Sequence, residues 1–387
     1  MKILYDHQIF DYQRYGGISR CFVELYRHLP LGCNAKISAM ESENAYLLES
    51  GISRPVGFYL KNFILPFHWP YKNKMFTAYN RMIGRGREYH VDYKRYNKTE
   101  SIRLLKKGNF DVFHPTFFDD YFLPYLNGKP FVLTIHDMIP EIYPQYFGKD
   151  DFQIVMKRKL ATLANAIIAV SENTKRDIVK ILNIPEEKVH VVYHGCSLPE
   201  MKSCSRVFHF PYILYIGVRW AYKNFVPFVK SLASILQEHK EMMVVCTGIS
   251  FDETENKLFT ELGLNGRFIH KWVEDDEELF SLYHHALCFV YPSSYEGFGI
   301  PILEAYKANC LVMLNNTSCF PEIAGDAAIY FEMTATSSNF KQKFEQLYAM
   351  NDDERKSLLV KQQSRLNHYS WEKSAQQLAD IYYSVLS

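Results

Sequence analysis

A protein of two α/β domains, each built on a parallel sheet with helices on both faces, is the fold class that this sequence predicts. Three observations lead there. The chain has 387 residues, beyond the size at which one hydrophobic core usually stays single. Hydrophobic residues make up 48% and charged residues 22%, a globular balance with apolar surface for two cores. Short apolar or β-branched runs recur in both halves, each followed by turn residues and a helical period, which is how parallel strands joined by helices read.

In the first half the runs are KILYD (2–6), FDVFH (110–114), FVLTIHD (131–137), AIIAVS (166–171) and VHVVYHG (189–195). The second half repeats the style with YILYIG (212–217), MMVVCTG (242–248), RFIHK (267–271), LCFVYPS (287–293) and CLVMLN (310–315). Residues 195–211 hold turn formers without a clean period and read as the linker. Residues 371–387 have helical spacing although they follow the second domain's end. A closing helix that crosses back to the first domain is expected, which gives domains at 1–200 and 201–370 with 371–387 packed on the first.

Composition excludes several classes. The net charge is +1, so no global field argues for nucleic acid as a partner. The eight cysteines form no C-x-x-C pair, and several lie in apolar runs, as reduced core thiols of a cytoplasmic protein do. The opening MKILYDHQIF is interrupted by Asp6 too soon for a signal peptide, and no run approaches the roughly 18 apolar residues of a membrane span. Residues 61–107 break the α/β rhythm, with twelve Lys or Arg against Glu88, Asp92 and Glu100 and with aromatics interleaved. That mixture suits an anionic headgroup at the inner face of a membrane or a pyrophosphate-bearing acceptor. A solvated helical pair with inward aromatics reads equally well.

Four stretches carry chemistry. RYGGISR (14–20) follows the first strand and opens a helix, so Gly16 and Gly17 let the backbone and the helix N-terminus approach an anion; a plain turn is the alternative, and the pair is no G-x-G-x-x-G fingerprint. TIHDMIP (134–140) puts His136 and Asp137 at a strand's C-terminal end, where open α/β sheets bind ligands, with His114 a weaker candidate for the same cleft and Asp137 and His114 expected on the acceptor side. YIGVRWAYKNF (215–225) offers Arg219 and Lys223, four apart at the matching strand end, where both cations can aim at one diphosphate.

The fourth stretch, SSYEGFGIPILEA (293–305), sets two carboxylates around a Gly-Phe-Gly turn. Pro301 favours the first helical position, so the amides of Phe298, Gly299 and Ile300, after Gly297, point from a helix N-terminus toward a phosphate. Glu304 is expected in the first turn, accepting two hydrogen bonds from a ribose diol. Glu296, before the turn, is expected on a sugar hydroxyl or a developing positive charge.

On these residues the chain resembles the family 4 retaining glycosyltransferases, whose E-x(7)-E signature matches EGFGIPILE. YGGISR, TIHDMIP, AVSENTKRDI, VVYHG, RWAYKN, CFPEIAGDAAIYF (319–331) and a terminal W-E-x-x-A helix follow in the family's order; residues 61–107 match no shared motif. The resemblance implies the GT-B architecture, two Rossmann-like domains facing each other across a cleft, with the nucleotide-diphosphate sugar in the C-terminal domain and the acceptor in the N-terminal one. It implies a metal-independent transfer without a cofactor, retaining the anomeric configuration. By matching, Arg219 and Lys223 stabilise the leaving diphosphate, Glu304 holds ribose, Glu296 the donor sugar, His136 that sugar from the other lobe, and Gly17 the phosphate. The expected reaction moves a hexose from GDP-mannose or a UDP-sugar to a glycan or lipid-linked glycan in surface-polysaccharide synthesis. A non-catalytic nucleotide-sugar-binding protein, an epimerase and a phosphorylase are the rivals.

Overall fold

The computed structural model describes residues 1–56, 75, 92–148, 151–201 and 203–386. Most of the basic, aromatic segment therefore lies outside the described residues. The chain forms two compact units, Met1–Thr134 with Val155–Ile168 and Ala375–Ser387, and Ile135–Ile154 with Ala169–Ser374.

In the first unit the apolar run at Lys2–Tyr5 is the middle strand of a parallel sheet, between Asn34–Ile37 and Val112–His114. Phe113 extends the pairing with a parallel bridge to Phe131. The helix Gly17–Arg27 buries Cys21, Phe22, Val23 and Leu25. What remains of the basic segment is the helix Tyr93–Lys107, begun by the Asp92 carboxylate accepting from the Arg95 amide and ended by Gly108 at φ 67°. It buries Tyr93, Asn97, Ser101 and Leu105, four residues apart and thus one face, while Lys94, Arg95, Lys106 and Lys107 are exposed. The closing helix, Trp371–Ser384, gives its residues from Ala375 onward to this unit, where the Tyr382 hydroxyl meets Tyr5 Oη at 2.8 Å. The return expected of the last helix is present. All eight cysteines are free thiols, and no helix among the described residues is long and apolar enough to cross a membrane.

The second unit is built on six parallel strands. In spatial order they are Phe268–Lys271, Met243–Thr247, Tyr212–Tyr215, Cys288–Tyr291, Val312–Asn315 and Ile329–Phe331. The chain lays down the third, second and first of these outward, then returns to the other side of Tyr212–Tyr215. Alternation along each strand feeds two cores: Leu214, Val245, Phe289 and Val312 on one face, Ile213, Val244, Cys246 and Met313 on the other. The order reverses between Tyr212–Tyr215 and Cys288–Tyr291. At such a switch point the loops leaving the two strands diverge and open a crevice at their carboxyl ends. Those loops are GVRWAYKN and PSSYEGFG.

Candidate donor site at the strand switch point

Backbone and side chain bind the two loops together. The Ser294 amide donates to Tyr222 O at 2.7 Å, and Asn224 Nδ2 donates to Pro292 O at 3.0 Å and Ser294 Oγ at 2.7 Å. Asn224 does so from a left-handed φ of 53°, which asparagine tolerates better than most side chains. On this frame Lys223 Nζ reaches Glu296 Oε1 at 2.5 Å, with both side chains mostly buried. The Lys223 ammonium also stands over the rings of Tyr222 and Tyr291. Burial first, then the charge and hydrogen bond of Glu296, push the Tyr291 hydroxyl far above its usual pKa, so it stays a donor.

Arg219 does not share that target. Its Nε and Nη2 meet the two oxygens of Glu255 at 2.5 and 3.1 Å, and Nη2 also donates to Ile249 O and Ser250 O. The expectation that both cations aim at one point is corrected. Glu255, third residue of the helix Glu253–Glu261 and a member of its capping box, draws the guanidinium to one side. Arg219 Nη1 is buried without a hydrogen-bond partner, leaving one donor of this fork to spare.

The helix after the turn is Ile300–Lys307, preceded by Gly299 at φ 95° and with proline in its first turn. Glu304 lies one residue past that first turn, correcting the expected position. Helical side chains lean toward the N-terminus, so its carboxylate still belongs to the Ile300 end. There Glu304 Oε2 accepts from Tyr283 Oη at 3.0 Å, and Glu304 is 8% exposed. Phe298 turns its side chain into the core against His194 at 4.9 Å.

Gly297 is dictated by contact. A Cβ there meets His136 O at 1.8 Å and the Asp137 side chain at 3.2 Å, so the His-Asp segment lies directly against the turn. Gly297 O accepts from Ser171 Oγ at 2.6 Å and Thr174 Oγ1 at 3.2 Å. Ser171 also caps its own helix, Glu172–Leu182, and the Glu322 carboxylate receives the Glu172 and Asn173 amides at 2.7 and 3.0 Å. The structure thus brings His136, Asp137, Lys223, Glu296 and Gly297 together within one unit.

Comparison with known proteins fits this arrangement. Residues 15–199 match the model of Glycosyltransferase Family 4, and residues 208–363 that of Glycosyl transferases group 1. The chain belongs to the family 4 glycosyltransferases. It is 28% identical over 230 residues to the O-antigen chain mannosyltransferase RfbU of Salmonella typhimurium, a match spanning 59% of this chain and 62% of that one. It is 26% identical over 285 residues to the O-antigen chain mannosyltransferase B of Escherichia coli, covering 68% and 72%. Among solved structures, Anabaena Alr3699/HepE in complex with UDP and glucose superposes with a TM-score of 0.70, covering 99% of this chain and 100% of that one at 15% identity. That likeness shows the GT-B fold.

Other expected residues belong to the first unit. His114 is fully buried, with Nδ1 at 2.6 Å from Tyr382 Oη and Nε2 at 2.9 Å from Thr134 Oγ1; burial pushes its pKa down to about 3. Both nitrogens are committed inside the core, so the acceptor-side role expected of His114 is replaced by a structural one. The N-terminus of Gly17–Arg27 already receives the Gln13 side chain, whose Oε1 accepts from the Ser19 amide at 3.0 Å. The Gln13 side chain packs directly over Gly16. Sequence reasoning missed Glu255 and Ser318, whose Oγ donates to Glu296 O at 2.7 Å. The capping pattern D-E-T-E marked Glu255 as a helix start and carried no sign of its partner.

Proposed function

We propose that this glycosyltransferase moves a hexosyl group, mannosyl foremost, from a nucleotide-diphosphate sugar to a glycan or lipid-linked glycan acceptor, with retention and without a metal. The observation that carries the donor reading is the Lys223–Glu296 pair beside the N-terminus of Ile300–Lys307, at the point where strand order reverses. In this reading the diphosphate lies over the amides of Gly299 and Ile300, which present donors and the positive end of the helix dipole. Lys223 balances the charge that grows on the leaving phosphate. Such preorganised stabilisation is usually the largest catalytic term. Glu296 turns to the sugar once the diphosphate takes up the lysine, and Glu304 takes ribose in exchange for the Tyr283 hydroxyl. Support for mannose comes from the activities named for the two enterobacterial relatives.

Incubating the protein with GDP-mannose, UDP-glucose and a polyprenyl-diphosphate-linked saccharide, in chelator, tests this. Transfer of mannose with an α-linkage in the product's NMR spectrum is expected. Absence of transfer from every nucleotide sugar overturns the activity; a β-linkage overturns retention, and a strict metal requirement overturns the metal-free chemistry.

A further inference from the structure

The first unit contains a cavity of about 340 Å³ lined by His7, Asp11, Tyr12, Lys94, Arg95 and Lys98, among others. Its floor is a buried chain of hydrogen bonds whose direction can be read. Asn97 Oδ1 accepts from the Met40 and Glu41 amides at 2.9 and 3.3 Å, which fixes its amide so that Nδ2 donates to Asp11 Oδ1 at 2.9 Å. Asp11 Oδ2 in turn lies 2.6 Å from His7 Nδ1. A carboxylate that only accepts places the proton on Nδ1, so the lone pair of a neutral ring is on Nε2. That atom is buried without a hydrogen-bond partner, in a side chain 7% exposed.

The other polar groups divide into spent and open. Asp119 accepts from Lys98 Nζ at 2.8 Å and the Tyr121 amide at 3.0 Å, and Asp92 from the Arg95 amide at 3.0 Å. Gln8 is occupied by Asp6 and the Asp119 backbone. Lys94 and Arg95 are exposed and make no ion pair among the described residues. Tyr12 presents a ring that is 65% exposed.

A buried acceptor, two open cations and an aromatic face ask for a hydroxyl, an anion and a sugar's apolar face. We propose that this cavity binds a glycosyl phosphate, with a sugar hydroxyl donating to His7 Nε2 and the phosphate held by Lys94 and Arg95. The Asp11–Asn97 chain fixes the ring with Nδ1–H on Asp11, and an unpaired buried polar atom gains most when a partner reaches it. As the seat of an acceptor the cavity rests on the transfer proposed above; as a glycosyl phosphate site it stands independently of it. The phosphate belongs either to a free sugar phosphate or to the diphosphate head of a lipid-linked saccharide.

The test is a titration of full-length, ¹⁵N-histidine-labelled protein with mannose 1-phosphate, methyl mannoside and inorganic phosphate, following the His7 Nε2 resonance and the affinity. His7→Asn keeps a donor to Asp11 and removes Nε2; Lys94→Ala with Arg95→Ala changes only exposed positions. Mannose 1-phosphate is expected to shift the His7 signal and to bind about tenfold more weakly to each variant. Inorganic phosphate is expected to lose affinity in the double variant alone. Farnesyl-diphosphate-linked mannose binding more than about tenfold tighter than mannose 1-phosphate assigns the lipid-linked source, and equal binding the free one. An unmoved His7 resonance, or mannose 1-phosphate affinity unchanged in both variants, overturns the proposal, whether or not the protein transfers mannose.

Discussion

Lys223 Nζ lies 2.5 Å from Glu296 Oε1, so the cation expected on the diphosphate and the carboxylate expected on the sugar are each other's partner. In the proposed reaction both groups leave this pairing for the donor from positions fixed by the surrounding loop frame. Lys223→Ala should therefore lower kcat by about two to three orders of magnitude while KM for the nucleotide sugar changes less, because the charge it meets grows during bond cleavage. Steady-state kinetics with the two parameters resolved decide this, and an equal loss in binding and turnover speaks against it.

Arg219 stands in a different position. Its side chain is 3% exposed and pairs with Glu255 on two oxygens. Glu255→Gln removes the partner of a buried charge and is expected to destabilise the protein by roughly 3 kcal/mol. Arg219→Ala should cost a similar amount, and the double variant less than the sum of the two. Urea unfolding of all four proteins gives the coupling; strictly additive losses contradict the pairing.

Gly297→Ala tests the contact between the turn and the His-Asp segment. With a Cβ 1.8 Å from His136 O, either the turn or the segment must move, at about 1 to 3 kcal/mol by the usual cost of overpacking. Gly263, at φ 67° with open space around it, is the control, since alanine there meets only backbone strain of about 1 kcal/mol. Similar melting temperatures for the two variants would remove the contact argument.

Two buried histidines set a pH dependence. His114 and His194 are held at pKa values of about 3, chiefly by burial and, for His194, also by His136. An unfolded histidine titrates near 6.5, so between about pH 6.5 and 3 the unfolded chain binds more protons and stability falls as pH falls. Each ring contributes a slope of up to about 1.4 kcal/mol per pH unit. His114→Gln should reduce proton uptake on unfolding at pH 5 by about one. Denaturant titrations at pH 7, 6 and 5 measure it, and an unchanged slope in the variant runs against a neutral His114.

Much of this was legible in the sequence. Strand and helix periods gave the parallel sheets, and Gly-Phe-Gly followed by Pro301 marked a helix N-terminus, because φ above zero and a missing amide constrain residue choice locally. Pairing across the chain was not legible. Glu255 lies 36 residues from Arg219, and nothing in its capping pattern distinguishes a carboxylate that also holds a guanidinium. His114 read as a strand-end ligand because strand ends are where ligands bind. The closing helix, returning with Tyr382, fills that place instead. His7 and Asp11 were passed over for a related reason: an i, i+4 pair across the start of a five-residue helix is common, and only Asn97, far along the chain, fixes which nitrogen is open.

In the proposed donor site Glu304, one residue past the first turn of Ile300–Lys307, grips the nucleotide's ribose at the strand switch point. Calorimetric titration of GDP and UDP into the wild-type protein and Glu304→Ala addresses it most directly. Loss of about 1 to 3 kcal/mol of binding free energy in the variant, with its melting temperature within a few degrees of the wild type, is the expected result. Equal nucleotide affinity in the two proteins contradicts it.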